Sequence, residues 1–306
     1  MMRHAAVFLA FVAAGLVLFQ SGCETMNALS EGAASVAVAS GMVSEQQGQS
    51  IARVGQAVGK TFSDITPEQE YYIGRTVGAM VLTSYKPLAN DAATLYLNTL
   101  GQALAEASDK PETFGGYHFL VLDSPDVNAF AAPGGLVFVT RGLLACCETE
   151  DAVAAVLAHE IGHVQHQHGL RQIKSGRLTS ALTILAAEGA KTFGGQDLAQ
   201  LTEAFEGSIS DITTTLIQNG YSRDLEYQAD AAAVAILNRV GYDPRALIAM
   251  LEVMKGHLKP GGTDFAKTHP SPADRIARLQ KLITAPAAAP APAVRTARMR
   301  KALSGV

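Results

Sequence analysis

The residues His159, Glu160 and His163 stand in the order His-Glu-Ile-Gly-His. On a helix, positions four apart share a face, so both imidazoles project together and can share one metal ion at about 2.0–2.1 Å. Glu160 stands next to them, where its carboxylate can take a proton from water at the metal's open position. Zinc suits this chemistry, because it lowers the pKa of bound water to about 7 and polarises a carbonyl. A protonated Glu160 could then hand its proton to a leaving amine. The spacing therefore implies zinc-dependent hydrolysis of peptide bonds.

A catalytic zinc needs a third protein ligand. The run Gln165-His166-Gln167-His168 does not supply it at the metzincin spacing, which wants Gly at 166 and His at 169, where this chain has His166 and Gly169. His166 and His168 are read as surface histidines or as neighbours of a ligand. A thermolysin-like spacing would put Glu near position 183, where Thr183 stands. Glu188, Glu203 and Glu206 remain candidates without a supporting motif. Glu226 is the better one: in Arg223-Asp224-Leu225-Glu226-Tyr227-Gln228-Ala229-Asp230 it stands four residues before Asp230. One carboxylate of such a pair can bind metal while the other holds a ligand's far ring nitrogen.

These residues need elements to carry them. Val153, Val156, Leu157 and Ile161 recur at helical spacing, and Glu148, Glu150 and Asp151 open that helix near its positive end. Thr66-Pro67-Glu68-Gln69 starts an earlier helix, with Tyr72, Val77, Met80 and Val81 as its apolar face. A second, from about 91 to 107, carries Leu95, Leu97, Leu100 and Leu104. Residues 117–123, 128–131 and 136–140 read as strands, with Pro133-Gly134-Gly135 as a turn, and their short connections predict an antiparallel sheet. One or two helices are expected over 178–217, another over 223–240 ending at Gly241, and a last one over 272–283. Beyond it, an Ala/Pro run reads as a linker and Arg295, Arg298, Arg300 and Lys301 as a solvated basic tail.

Composition narrows the partners. A net charge of −4 gives no electrostatic reason for a nucleic-acid partner, and the absence of Trp argues against base-stacking sites. The 306 residues suffice for one sizeable core. Residues 1–22 have the form of a signal peptide: Arg3 and His4, an apolar run over 5–19 too short to span a bilayer, then small residues. Ser21-Gly22-Cys23 is similar to a bacterial lipoprotein box, although Gln20 stands where Leu is usual, so Cys23 is the expected lipidation site. Glu24 after it favours the outer membrane. Adjacent Cys146 and Cys147 have diverging Cβ vectors and are read as small apolar residues.

Taken together, His159-Glu160-Ile161-Gly162-His163, then Glu226-Tyr227-Gln228-Ala229-Asp230, then His269-Pro270-Ser271 with Arg275, resemble the zinc metallopeptidases that group CAAX prenyl proteases, HtpX, BepA and LoiP. The segment from Asn128 to Gly135 fits as well. The resemblance spans about 65–284 and, in its tethered, repeat-free layout, is nearest the LoiP type. It implies zinc ligation by His159, His163 and Glu226, with Glu160 as general base and one Zn²⁺ per chain. It also implies Asp230 as an acid beside the ligands. His269 would either stabilise the oxyanion or cap the zinc as a reversible fourth ligand, with Arg275 as its neighbour.

The expected fold is α+β and zincin-like, mainly helical with a small antiparallel sheet. Its divisions are a signal at 1–22, a tether and helix at 23–64, a metalloprotease domain at 65–284 and the tail at 285–306. The expected activity is endopeptidase cleavage of misfolded or misassembled envelope proteins in the periplasm, with the chain lipid-anchored at the inner leaflet of the outer membrane. Extended or unfolded polypeptides would bind along Asn128, Ala129 and Phe130 as an added strand. The competing expectation is a chaperone or assembly factor for outer-membrane proteins that seldom cuts.

Overall fold

Helix α1, Pro67–Ser84, begins where Pro67 pre-sets the first turn. Its buried side is Glu70, Ile73, Val77 and Val81, while Tyr72 is exposed and does not belong to the apolar face. Helix α2, Asp91–Glu106, is capped by Asn90, whose side chain accepts from the Ala93 amide. Ala93, Leu97, Leu100 and Leu104 recur at steps of three and four and are buried; Leu95 lies on the other face and is exposed. In this computed structural model the described residues are 65–172, 220–256, 269, 272–284 and 292–306, besides Ser35, Ala39 and Glu45. The elements described here lie in one of two compact units, residues 65–173 with 208–306. The signal segment, Cys23, most of the tether, Glu188, Glu203, Glu206, Pro270 and Ser271 lie outside the described residues.

The sheet corrects one expectation. Strands β1 (His118–Leu122), β2 (Ala129–Ala132) and β3 (Leu136–Thr140) lie in the order β1-β3-β2. β3 pairs antiparallel with β2 but parallel with β1, so the sheet is mixed. Short connections imply antiparallel neighbours only when consecutive strands are adjacent. Here the link from β1 to β2 skips one strand position, and the β2–β3 hairpin then lays β3 into the gap. The hairpin turns at Pro133–Gly135, where Gly134 (φ 77°) and Gly135 (φ 98°) take left-handed conformations that suit glycine.

After a short helix α3, Arg141–Ala145, comes α4, Glu150–Gln165, capped by the Thr149 side chain on the Ala152 amide. Every residue of α4 from Glu150 to Val164 is buried, so the helix is enclosed on all sides rather than amphipathic. Helix α5, Arg223–Val240, ends at Gly241 in the left-handed conformation and packs across α4. The two come closest at Gly162, where a Cβ would lie 2.8 Å from the Ala229 carbonyl oxygen. Helices α6 (Arg245–Gly256) and α7 (Pro272–Leu282) complete that side. Cys147 is buried against the Met250 sulfur, as expected of a small apolar residue, and Cys146 is partly exposed.

The basic C-terminal segment is not the solvated tail that its composition suggests. Residues Ala293–Ala302 form helix α8, docked on the N-terminal end of α4. Glu150 is fully buried there and takes hydrogen bonds from Arg298, at 2.6 Å through Nε, and from the hydroxyls of Tyr96 and Tyr242. Arg295 stacks over the Tyr242 ring at 4.2 Å. The charge density of the tail hid this, because the partner acid is 148 residues away in the chain. Replacing Arg298 with Ala should cost about 1–2 kcal/mol, less than for a fully enclosed pair because Arg298 is half exposed. Urea unfolding of the metal-free protein checks this; an unchanged midpoint would mean that α8 contributes no stability through Glu150.

Candidate metal centre

Helix α4 presents His159 and His163 on one face, with their Nε2 atoms 3.1 Å apart. Across the Gly162–Ala229 approach, the first turns of α5 present Glu226, whose carboxylate oxygens lie 3.5 Å from His159 Nε2 and 3.4 Å from His163 Nε2. These three edges are close to the about 3.4 Å edge of a tetrahedron built from bonds of about 2.0–2.1 Å. His269 joins them: one donor atom from each of the four residues falls within 4.8 Å of all the others. The donor set of two imidazoles and a carboxylate suits zinc.

The surrounding charges agree with a divalent cation. Glu160, Glu226 and Asp230 are all buried, with Arg275 the single buried guanidinium among the described residues. With the imidazoles neutral, as metal ligands must be, and all three carboxylates ionised, one guanidinium would leave two negative charges for a divalent cation to balance. Without a metal, burial and Arg275 lower His159, but the carboxylates of Asp230 and Glu226 outweigh them and raise it to about 9. Glu160 adds a second sign of fit: among the described residues neither of its oxygens has a hydrogen-bond partner, and His269 Nε2 is 3.8 Å away. A buried carboxylate without donors is costly unless a cation or a polar substrate meets it.

Asp230 and Arg275 brace the ligands from behind. Asp230 Oδ1 lies 3.0 Å from His159 Nδ1, the ring nitrogen facing away from His163. Arg275 donates to both Asp230 oxygens, at 2.8 and 2.6 Å, and lies 2.9 Å from Glu226 Oε2. Burial alone would raise the Asp230 carboxyl, but the Arg275 guanidinium outweighs it and holds the group at about 2. For Glu226, too, burial is outweighed, by His269 and Arg275, and its carboxyl sits well below the usual range. Glu160 goes the other way: burial raises its carboxyl and the neighbouring His269 and His159 only partly oppose it. Two carboxyls fixed as anions and one pushed toward neutrality is the division that ligands and a proton carrier require.

His269 turns Nδ1 to Glu226, 3.0 Å from each oxygen, and Nε2 to the Ala129 carbonyl, 3.3 Å away. That carbonyl belongs to β2, which among the described residues has no strand paired on its other side. Asn128 pairs with Thr140 through the Thr140 amide, so in the antiparallel alternation the main-chain groups of Ala129 and Ala131 face away from β3. Of the three residues expected to meet substrate, Ala129 therefore faces the centre. Asn128 bonds its main chain to Thr140, and the Phe130 ring packs between Tyr85 and Phe138, away from the ligands.

Two residues beside the centre carried less weight in the sequence than their positions warrant. His168 is fully buried, with Nδ1 2.8 Å from His163 Nδ1, whereas His166 is partly exposed and only stacks on His168. Burial lowers His168 to about 4, so it is neutral at physiological pH. Tyr221, just ahead of α5, stacks on the His163 ring at 4.2 Å and lines a small cavity with Ala131, Pro133 and Leu170. Its only signal in the sequence was its place five residues before Glu226.

A family model, Peptidase family M48, matches residues 91–283, which include every residue of the centre. The chain belongs to peptidase family M48. The resemblance read from the motifs is thereby borne out, and M48 relatives of two kinds are similar to this chain. The beta-barrel assembly-enhancing protease of Escherichia coli K12 is 28% identical over 229 residues, 73% of this chain and 45% of that protein. The mitochondrial metalloendopeptidase OMA1 of Schizosaccharomyces pombe is 31% identical over 207 residues, 67% of this chain and 56% of that protein. The chain thus spans about half the length of these relatives. Among the described residues, no helix is long and apolar enough to cross a membrane.

Replacing Arg275 with Met should leave Glu226 and Asp230 buried without their shared cation. The metal-free protein should lose about 3–5 kcal/mol, measured by chemical unfolding in chelator. The pH dependence has a definite sign. Asp230 is depressed from 3.8 to about 2, so its stabilisation is complete above about pH 4 and is lost as the pH falls towards 2. The Arg275→Met protein should lack most of this slope; an unaltered slope would mean that the guanidinium does not hold the acid.

Proposed function

We propose that the chain is a zinc-dependent endopeptidase of the bacterial cell envelope that cuts extended segments of misfolded or misassembled proteins. The observation that carries this reading is the donor triangle of His159, His163 and Glu226 with the buried Glu160 carboxylate beside it, which has no hydrogen-bond donor among the described residues. His159, His163 and Glu226 would hold the metal. Zinc held there would supply a Lewis acid that acidifies water and polarises the scissile carbonyl.

The protein's own groups account for the rest. Glu160, displaced by burial toward neutrality, takes a proton from the attacking water and returns it to the leaving amine. Asp230 orients the His159 ring, and Arg275 helps to hold Glu226 as an anion. A substrate strand would pair with the outward main-chain groups of Ala129 and Ala131, which selects unfolded backbone over sequence. His269 now occupies the Ala129 carbonyl, so it sits where such a strand must bind and acts as a restraint.

The envelope location and the lipid anchor at Cys23 rest on the signal-like first residues, and the relatives named for β-barrel assembly support an envelope role. That same name favours a second reading, an assembly factor whose protease activity is secondary.

Glu160→Gln should keep one zinc per chain and lose casein cleavage by at least about 100-fold, the scale of general acid–base contributions. Full cleavage by that variant would overturn the proteolytic reading. Rescue of outer-membrane defects by Glu160→Gln would favour the assembly factor. His269→Ala should raise basal cleavage of extended peptides. A fall of roughly 100-fold would instead make His269 an oxyanion donor.

A further inference from the structure

We infer that His168 is a positioning residue that fixes the ring orientation and the tautomer of His163. The inference rests on His163 being a zinc ligand, as proposed above.

The hydrogen-bond logic starts at the surface. Arg171 Nη1 lies 3.0 Å from Gln228 Oε1, and a guanidinium can only donate, so this atom of the amide must be the oxygen. His168 Nε2 faces the same oxygen at 3.4 Å and therefore carries a proton. A neutral imidazole with its proton on Nε2 has a lone pair on Nδ1. That lone pair faces His163 Nδ1 at 2.8 Å, so His163 donates there and its own proton is on Nδ1. Its Nε2 is then a bare lone pair, and this is the atom that points into the donor triangle. The chain of contacts from Arg171 through Gln228 and His168 thus sets the nitrogen with which His163 can bind metal.

The two histidines of the centre are held by different chemistry. His159 has a carboxylate behind it, Asp230, braced by a buried guanidinium. His163 has a neutral ring, stacked on its other side by Tyr221. A neutral acceptor orients the ligand without adding a fourth negative charge to a pocket that already holds three carboxylates.

The backbone is shaped for this contact. Had α4 continued, His168 would lie five residues beyond His163 and about 140° around the axis. The helix stops at Gln165, and Gln167 takes a left-handed conformation (φ 54°), the one non-glycine residue with positive φ among the described residues. Such a conformation is unfavourable for glutamine and needs support from its surroundings. Gln167 has that support: its amide bonds the Val164 carbonyl and its side chain donates to Glu70. The reversal folds His168 back beneath His163, and Gly169 follows with a Cβ position only 3.0 Å from Pro133.

The test is zinc affinity of the full chain, measured by competition with a chromogenic chelator, in three variants of position 168. His168→Asn keeps an acceptor where Nδ1 stands and should bind zinc within about threefold of the parent. His168→Gln places its amide where Nε2 stands, and His168→Leu offers no acceptor; both should weaken zinc by about 10–100-fold, as for loss of other such partners. If the Leu protein does not fold, the contrast between Asn and Gln decides. Equal affinities for Asn and Gln, or a Leu protein as tight as the parent, would overturn the inference. A parent chain that takes up no zinc would overturn the metal reading itself.

Discussion

Three carboxylates and one guanidinium are buried together, and the fold is arranged around that imbalance. Burying an uncompensated charge costs several kcal/mol, so Glu226, Asp230 and Glu160 could not coexist in an apolar core without cations. Arg275, with one positive charge, is shared between the two that face it, Glu226 and Asp230. Glu226 also faces two imidazole nitrogens, the arrangement in which a divalent ion supplies the positive charge that Arg275 alone does not. Glu160, left without a donor among the described residues, is the group whose protonation burial makes easiest. Stability and chemistry therefore draw on the same charge pattern.

Packing delivers these groups to one place. Helix α4 is enclosed on every side, which demands small residues, and Ala152, Ala154, Ala155, Ala158 and Gly162 provide them. At Gly162 the missing side chain lets α5 approach closely enough for Glu226 to span both histidines. The mixed sheet has a separate task. By inserting β3 between β1 and β2, it leaves β2 as an edge whose outward carbonyl at Ala129 meets His269. At the other end of α4, α8 closes over Glu150, so the helix that carries the ligands is fixed at both ends.

Much of this was legible because local rules governed it. Four-residue spacing placed His159 with His163 and Glu226 with Asp230, and the start at Pro67 and the stop at Gly241 marked helix ends. What escaped depended on distance in the chain or on a break in regular geometry. The sheet order could not follow from loop length once non-consecutive strands paired. The basic tail looked solvated because Glu150, its partner, gives no local sign of being buried. Leu95 and Tyr72 fell on the wrong face because residue type alone does not fix a helix's rotation. His168 was noticed but left unplaced, since only the left-handed turn at Gln167 returns it to the centre.

The central claim is that His159, His163 and Glu226 together bind one zinc ion, and X-ray absorption on the zinc-loaded protein tests it most directly. The account predicts a first shell of nitrogen and oxygen at about 2.0–2.2 Å, with the outer-shell scattering of imidazole, one zinc per chain, and loss of that metal in Glu226→Gln. A shell containing sulfur at about 2.3 Å, or full zinc occupancy with an unchanged spectrum in Glu226→Gln, would contradict it.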